Sequence, residues 1–503
     1  MKKINFIVLF VIGLLSLSCF DDKGNYDYIK LNEISWDKRI ADETADVGDK
    51  VIVKKPKLKF SLDSVDIQLG YEWKIDGELV STDSVLEYIP EEIGTKACAF
   101  IVYDKRVGRK FYNRFSIKVQ SRYKKGWLIL AENNGVSELT LLRTEEKSGY
   151  WEGKNDTMIV KSIERDVYKT LTGSSLDGNP VKLHQYKAQD DFQGQLLVMQ
   201  NGGKGSVELD NVTMERVMYL QDEFLDRDLP VNFEMKEAGF YPWNSYVLSN
   251  DGYLYSRKNE DNYEHFTAFF IKEPYLAGRK IQKLIPINIF TYRFFLLFSE
   301  DGNYLAIEED SYSESTSGRS LVFQYDNKEF AEDFVNLEGE MVAAISQEGD
   351  KGTVVTTVFN RNGVYYIHDF SIKKENRKAI VTVSRSSLRP LGITNLSCTG
   401  GFKKYNEYIF FNGGDAQDKL YWHRPLTGET GLYYDFKGKK IMAIDCWEDW
   451  KPKPGPLVGV VTADGQFHLF EFDRLNLNSP KVTANTEWRV EGMPVDLLYK
   501  GDL

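Results

Sequence analysis

Cysteine is scarce, with four in 503 residues, and that excludes a disulfide-stapled scaffold. Positive charge is in deficit: 64 Lys and Arg face 75 Asp and Glu, a net −11 with a pI of about 5.3. Neither nucleic acid nor an anionic membrane face is therefore an expected partner. Catalytic signatures are missing too. There is no HExxH, no Cys-x-x-Cys, no Gly-x-Ser-x-Gly elbow and no glycine-rich phosphate loop; each of those chemistries needs its residue types at a fixed spacing. The five histidines, His184, His265, His368, His423 and His468, lie far apart. His368 and His468 stand in strand-like runs, where a structural histidine is expected, and no metal site is assigned. After residue 18 no apolar run reaches the roughly 20 residues that a membrane-spanning helix needs.

What the chain does have begins at its start. Met1-Lys2-Lys3 followed by "INFIVLFVIGLLSLS" has the charged head and short apolar stretch of a secretory signal peptide over residues 1–18, an uncleaved anchor being the alternative. Leu15-Ser16-Leu17-Ser18-Cys19 resembles the lipobox of bacterial lipoproteins, with Ser16 standing where leucine is usual. The resemblance implies that Cys19 becomes the first mature residue and carries acyl chains; the alternative is an ordinary cysteine near a cleavage site. Each buried methylene contributes about 0.8 kcal/mol to membrane association, so several chains anchor stably. With Cys19 lipidated, Cys98, Cys398 and Cys446 remain. At most one bridge can form, Cys398–Cys446 being the candidate pair, and three buried free thiols are the favoured reading.

Beyond residue 28 helical periodicity is rare. Short alternating or continuous apolar runs bounded by Gly, Asp and Asn point to an all-β chain, and the length calls for at least two domains. Aromatic content of 14%, mostly Tyr and Phe, suits strands and β cores, with sugar- or peptide-binding platforms as the alternative. Residues 19–28 read as a lipidated linker and residues 29–121 as an immunoglobulin-like sandwich of six or seven strands. Within it "YEWKIDG" alternates, placing Tyr71, Trp73 and Ile75 on one strand face, and Asp76-Gly77 supplies hairpin turn chemistry. This stretch resembles the PKD-type immunoglobulin-like family, with Tyr71, Trp73, Asp76 and Gly77 in the first half and Tyr88 and Gly94 of "LEYIPEEIGTKACAFIVYD" in the second. The resemblance implies a spacer or interaction module without catalytic residues.

From residue 122 to 503 a hairpin recurs. "YVLSNDGYLYSRK", "FLLFSEDGNYLAIEE" and "VGVVTADGQFHLFEF" each join an apolar strand, a Ser or Thr, an Asp-Gly turn and an aromatic return strand. Asp-Gly predicts the primed two-residue turns of hairpins. Looser copies begin near Gly126, Gly194, Val342 and Tyr408. Spacing of about 50 residues predicts a β-propeller of seven blades, the two longer intervals (126 to 194 and 342 to 408) leaving room for an eighth.

Chemistry-bearing stretches are few. Paired carboxylates for glycoside hydrolysis need a set separation in space, which a sequence does not give. The acidic stretch Ser299 to Ser315 offers oxygens to calcium but lacks the EF-hand order, so a solvated hairpin is expected and no cofactor is assigned beyond an optional structural calcium. "CWEDWKPKPGP" is loop-like, because proline removes backbone donors. It makes Trp447 and Trp450 the candidate ligand or partner residues, packing under the last blade being the alternative.

Taken together, the lipobox, Cys19 followed by "FDDKGNYDY", the PKD-like unit and "YKKGWLILAENNG" entering a propeller resemble the PKD-like lipoproteins of the Bacteroidetes. The resemblance implies that Asp21 and Asp22 act as a surface-export signal and that the protein faces the cell exterior on the outer membrane. It also implies association with a SusC-like TonB-dependent transporter and a SusD-like lipoprotein that take up glycans or peptides. A non-catalytic accessory or ligand-binding role is the expectation; the alternative is a surface hydrolase, glycosidase or peptidase, with carboxylates at the propeller funnel.

Overall fold

The structure, a computed structural model, describes residues 31–62, 67–147, 157–186, 194–240, 244–258, 269–276, 279–285, 287, 294–308, 319–350, 352–383, 388–425, 427–449, 455–482 and 488–501. Cys19, Asp21, Asp22, His265 and Trp450 lie outside the described residues. The chain divides into two units, Met1–Gln120 and Ser121–Leu503.

The described residues of the first unit form a β-sandwich of nine strands, more than the sequence suggested. The run "VIVKKPKLKFSL" yields two strands, Val51–Lys54 and Leu58–Phe60, in different sheets, because Pro56 between them offers no backbone donor. Two further strands, Ile34–Trp36 and Glu43–Asp46, precede them. A five-stranded sheet centred on Gly94–Asp104 packs its inner face around Trp73, which is fully buried. The Trp73 ring lies 4.4 Å from that of Phe100, and its indole N–H donates to the Asp83 carbonyl at 2.8 Å. Tyr71 shares that face, half-buried, with its hydroxyl accepting from Lys55 at 3.0 Å. Asp76 (φ 50°) and Gly77 (φ 91°) both take left-handed backbone, the primed turn expected, and Asp76 Oδ1 accepts from the Ala97 N–H at 2.9 Å. Tyr88 ends a strand paired with Val51–Lys54 and packs on the core; Gly94, at φ 142°, opens the long strand. Cys98 is buried in this core as a free thiol, its pKa pushed up to about 11 by burial.

The second unit is a β-propeller. Its described residues form seven sheets in chain order, here blades 1 to 7, antiparallel throughout except where Val322–Tyr325 joins Lys378–Thr382 in parallel at the edge of blade 5. First strands are Asn179–Tyr186, Met235–Phe240, Ile281–Ile285, Glu340–Gly349, Thr399–Gly401 and Ile441–Trp447 in blades 2 to 7. Blade 1 takes its first strand from the far end of the chain: Met493–Lys500 pairs with Gly126–Asn133. Each first strand contacts the next around the ring, and Met493–Lys500 contacts both Ile441–Trp447 and Asn179–Tyr186, so the ring closes. Between every pair of adjacent blades lies an apolar seam. Trp127 of blade 1, for example, packs on Phe467 of blade 7, and a Cβ at Gly459 would stand 2.6 Å from its ring.

The Asp-Gly hairpins hold two corrections. Gly252, Gly302 and Gly465 have φ of 87°, 80° and 79°, whereas Asp251, Asp301 and Asp464 are not left-handed. These are therefore wider turns with glycine in the bulge position, not primed two-residue turns. The Ser or Thr two residues earlier explains the choice. Its one O–H lies within reach of two acceptors, the turn aspartate (Thr462 to Asp464, 2.6 Å) and the carbonyl beyond the glycine (Ser299 to Asn303, 2.9 Å), an arrangement that needs the wider loop. The glycine carbonyl in turn accepts from the next blade, as Gly465 does from the Val490 N–H at 2.9 Å. Second, the copy beginning at Val342 is one strand early. It joins the first and second strands of blade 5, and the equivalent hairpin is Gly352–Arg361 with Val364–Glu375, turned by Asn362-Gly363. The other long interval contains the strand Thr157–Glu164 and a short helix, Val167–Thr172, capped by Asp166 and Gly173.

Candidate functional site

First strands of a propeller line its central channel, so their side chains are where a site would form. In six of the seven blades the first strand carries a bulge near its start. Val181, Lys236, Gln282, Val342, Met442 and Val495 are each skipped in the pairing with the second strand. A bulge re-aims the side chains around it. The residues just past these bulges include Lys182, Glu237, Lys283 and Asp496, which put charge into otherwise apolar strands.

The carboxylates on these first strands are engaged. Asp445 Oδ2 of blade 7 accepts from the Tyr499 N–H of blade 1 at 2.6 Å. Asp496 Oδ2 of blade 1 accepts from the Leu183 N–H of blade 2 at 2.8 Å, and Glu237 Oε2 of blade 3 accepts from the Leu284 N–H of blade 4 at 2.9 Å. Gln282 repeats the pattern toward Met341 at 3.0 Å, and Asn201 toward Met235 at 2.6 Å. A first strand leaves one edge unpaired by its own sheet, and a side-chain acceptor from the preceding blade satisfies it.

Electrostatics separates these groups. Burial raises the pKa of Asp496 to about 6, with the nearby Asp445 charge adding to the rise and Lys182 opposing it. Burial raises Asp445 as well. Burial pushes Glu237 upward too, but the Lys283 and Lys182 ammoniums outweigh it and hold the group below its ordinary value, with Lys283 Nζ at 2.5 Å. His184 is held down to about 3 by burial, then by Lys182 and Lys403, so it is neutral at physiological pH. His368 and His468 are also buried and neutral, at about 3 and about 4. No three His, Cys, Asp or Glu side chains among the described residues converge as a metal would need.

Two clefts open at the ring end where the Asp-Gly turns and the starts of the first strands meet. One, of about 470 Å³, lies between blades 7 and 1 and includes Arg165, Asp464 and Arg489. The other, of about 580 Å³, spans blades 3 to 6. Trp447 is at neither. It is half-buried at the seam of blades 7 and 1, its ring 5.3 Å from Tyr499. Cys398 and Cys446 are free thiols, so no bridge joins them. The channel charges and the bulges escaped the sequence reading. The available signal was one or two charged residues inside each short apolar strand, as in "MKEAGF", "MAIDCW" and "MPVDLLY".

Residues 19–180 match the PKD-like family. The match starts at Cys19, covers the whole sandwich and runs into the first described strands of the propeller. No curated protein matches the chain. Among solved structures, similarity extends to a quinoprotein alcohol dehydrogenase-like protein from Bacteroides thetaiotaomicron (11% identity, 92% of this chain and 97% of that one, TM-score 0.39). It also extends to a putative 6-phosphogluconolactonase from Bacteroides uniformis (11%, 75% and 99%, TM-score 0.42). A periplasmic gluconolactonase from Pseudomonas aeruginosa is similar at 9% identity (75% and 99%, TM-score 0.44). Likenesses at these TM-scores carry no argument about chemistry, and the propeller stands on its own sheets and their closure.

Proposed function

We propose that this chain is a lipid-anchored protein on the outer face of the outer membrane, a non-catalytic accessory or ligand-binding component of a SusC/SusD-type TonB-dependent uptake complex for glycans or peptides. The observation that carries the non-catalytic reading is the engagement of the channel carboxylates: Asp445, Asp496 and Glu237 each hold a backbone N–H of the next blade. A general acid or base must reach substrate, and these groups serve the ring. The match to the PKD-like family from Cys19 onward supports the anchored N-terminus.

Affinity purification of the tagged protein from gently solubilised outer membranes should recover a TonB-dependent transporter and its partner lipoprotein; recovery of the chain alone would sink the accessory role. Cys19→Ala should move the protein out of the membrane fraction. Neutralising Asp21 and Asp22 should keep lipidation but lower protease accessibility in intact cells.

A second reading, a surface hydrolase, is favoured by one observation: Asp496, with its raised pKa, sits near Asp445 and Lys182 in the channel. Product release from mixed glycans or peptides, abolished in Asp445→Asn or Asp496→Asn, would establish it in place of the first.

A further inference from the structure

Three consecutive first-strand bulges lie along one cleft. Lys236 of blade 3, Gln282 of blade 4 and Val342 of blade 5 are the skipped residues, and all three line the cleft of about 580 Å³. That volume is within the range of small-ligand sites, roughly 300–1,000 Å³, and bulges concentrate where a fold re-aims side chains for function.

The lining is specific in its charge. Lys283 is committed to Glu237, and Gln282 to the Met341 N–H. Lys236, Glu300 and Glu340 also line the cleft, and their side chains make no hydrogen bond or ion pair with the described residues. One uncommitted ammonium and two uncommitted carboxylates therefore line the same cleft, whose apolar lining is Met341, Val342 and Leu396. No aromatic side chain lines the cleft, so the flat platform that stacks on a sugar ring is missing among the described residues. The chemistry that fits is a ligand with more positive than negative charge, backbone amides and an apolar side chain.

We propose that this cleft is a binding site for short basic peptides: their amino terminus or a Lys or Arg side chain meets Glu300 and Glu340, and a carboxylate meets Lys236. The proposal rests on the uptake reading and narrows its cargo to peptide.

The test uses the full-length protein in detergent. Isothermal titration is run with free-terminus tetrapeptides carrying two lysines, with matched peptides carrying two glutamates, and with neutral hexasaccharides. The native protein should bind the lysine peptides, and Glu300→Lys combined with Glu340→Lys should weaken that binding at least tenfold and improve binding of the glutamate peptides. Both residues are exposed, so the fold should survive, and an unchanged thermal transition checks this. Lys236→Glu should shift preference further toward the lysine peptides. No peptide binding, equal binding by the charge-reversed variant, or binding of the hexasaccharides instead would overturn the proposal. Recovery of transporter partners in the pull-down would stand whatever the titration gives, so the two readings fail separately.

Discussion

Between blades 2 and 3, Glu208, Glu223 and Arg257 are each under 5% exposed. Arg257 pairs with Glu223 and sits over the Phe270 ring at 4.6 Å. One guanidinium cannot neutralise two buried carboxylates, so the second stays protonated: burial, then the Glu223 charge, holds the Glu208 pKa far above its ordinary value. A carboxyl whose folded pKa is raised contributes stability that is complete below its unfolded pKa and is lost as pH rises through the folded one. The protein should therefore be more stable to heat at pH 5 than its other groups alone would make it. Glu208→Gln, which imitates the protonated acid, should flatten this pH dependence and gain about 1 kcal/mol at pH 8. Glu223→Gln removes the charge that, after burial, keeps Glu208 protonated, so Glu208 should ionise in its place as the counter-charge of Arg257, and the cost should stay below the about 3–5 kcal/mol of an unpaired buried charge. Melting curves of the three proteins at pH 5 and pH 8 decide the matter; equal pH profiles would remove Glu208 as the source. Nothing in "VELDN" or "YLQDEF" announces this cluster, because acidic residues look alike in a sequence whether they end in solvent or in a core.

At the level of the hairpin, sequence and structure agree best where contacts are local. Ser/Thr-x-Asp-Gly is readable because the partners of its hydroxyl lie within five residues. The turn type is not, since Asp-Gly suits both kinds and the preceding hydroxyl decides between them. Register failed in blade 5 for a related reason: "SQEGDKG" looks like a blade hairpin but joins first to second strand. Partner identity also escapes, as Gly302 illustrates. A Cβ there would stand 2.4 Å from the Leu337 carbonyl of the segment leading into blade 5. Gly465→Ala meets the same obstacle, 2.4 Å from the Val490 carbonyl at φ 79°, and should cost at least about 2 kcal/mol. Gly438→Ala, at φ 86° with open space around it, should cost only the backbone term of about 1 kcal/mol. Denaturant midpoints of the pair separate strain from clash, and equal losses would deny the close approach between blades. Thr462→Val, which removes the hydroxyl donor of the turn, should cost about 1 kcal/mol.

For the whole propeller, the succession of similar sheets was legible in the repeat, whereas closure was not. "MPVDLLYK" is an apolar run like many others, and its pairing partner lies more than 360 residues earlier. Removing residues 493–501 should leave blade 1 without its first strand and expose the seams at Trp127 and Leu183. The truncated chain should lose its cooperative thermal transition and bind a hydrophobic dye, and a sharp native-like melt would refute the role of closure. That same pairing sets a clock on biogenesis. Gly126–Asn133 gains its first-strand partner only once Met493–Lys500 has been made, so during synthesis blade 1 stays open while more than 360 further residues are added.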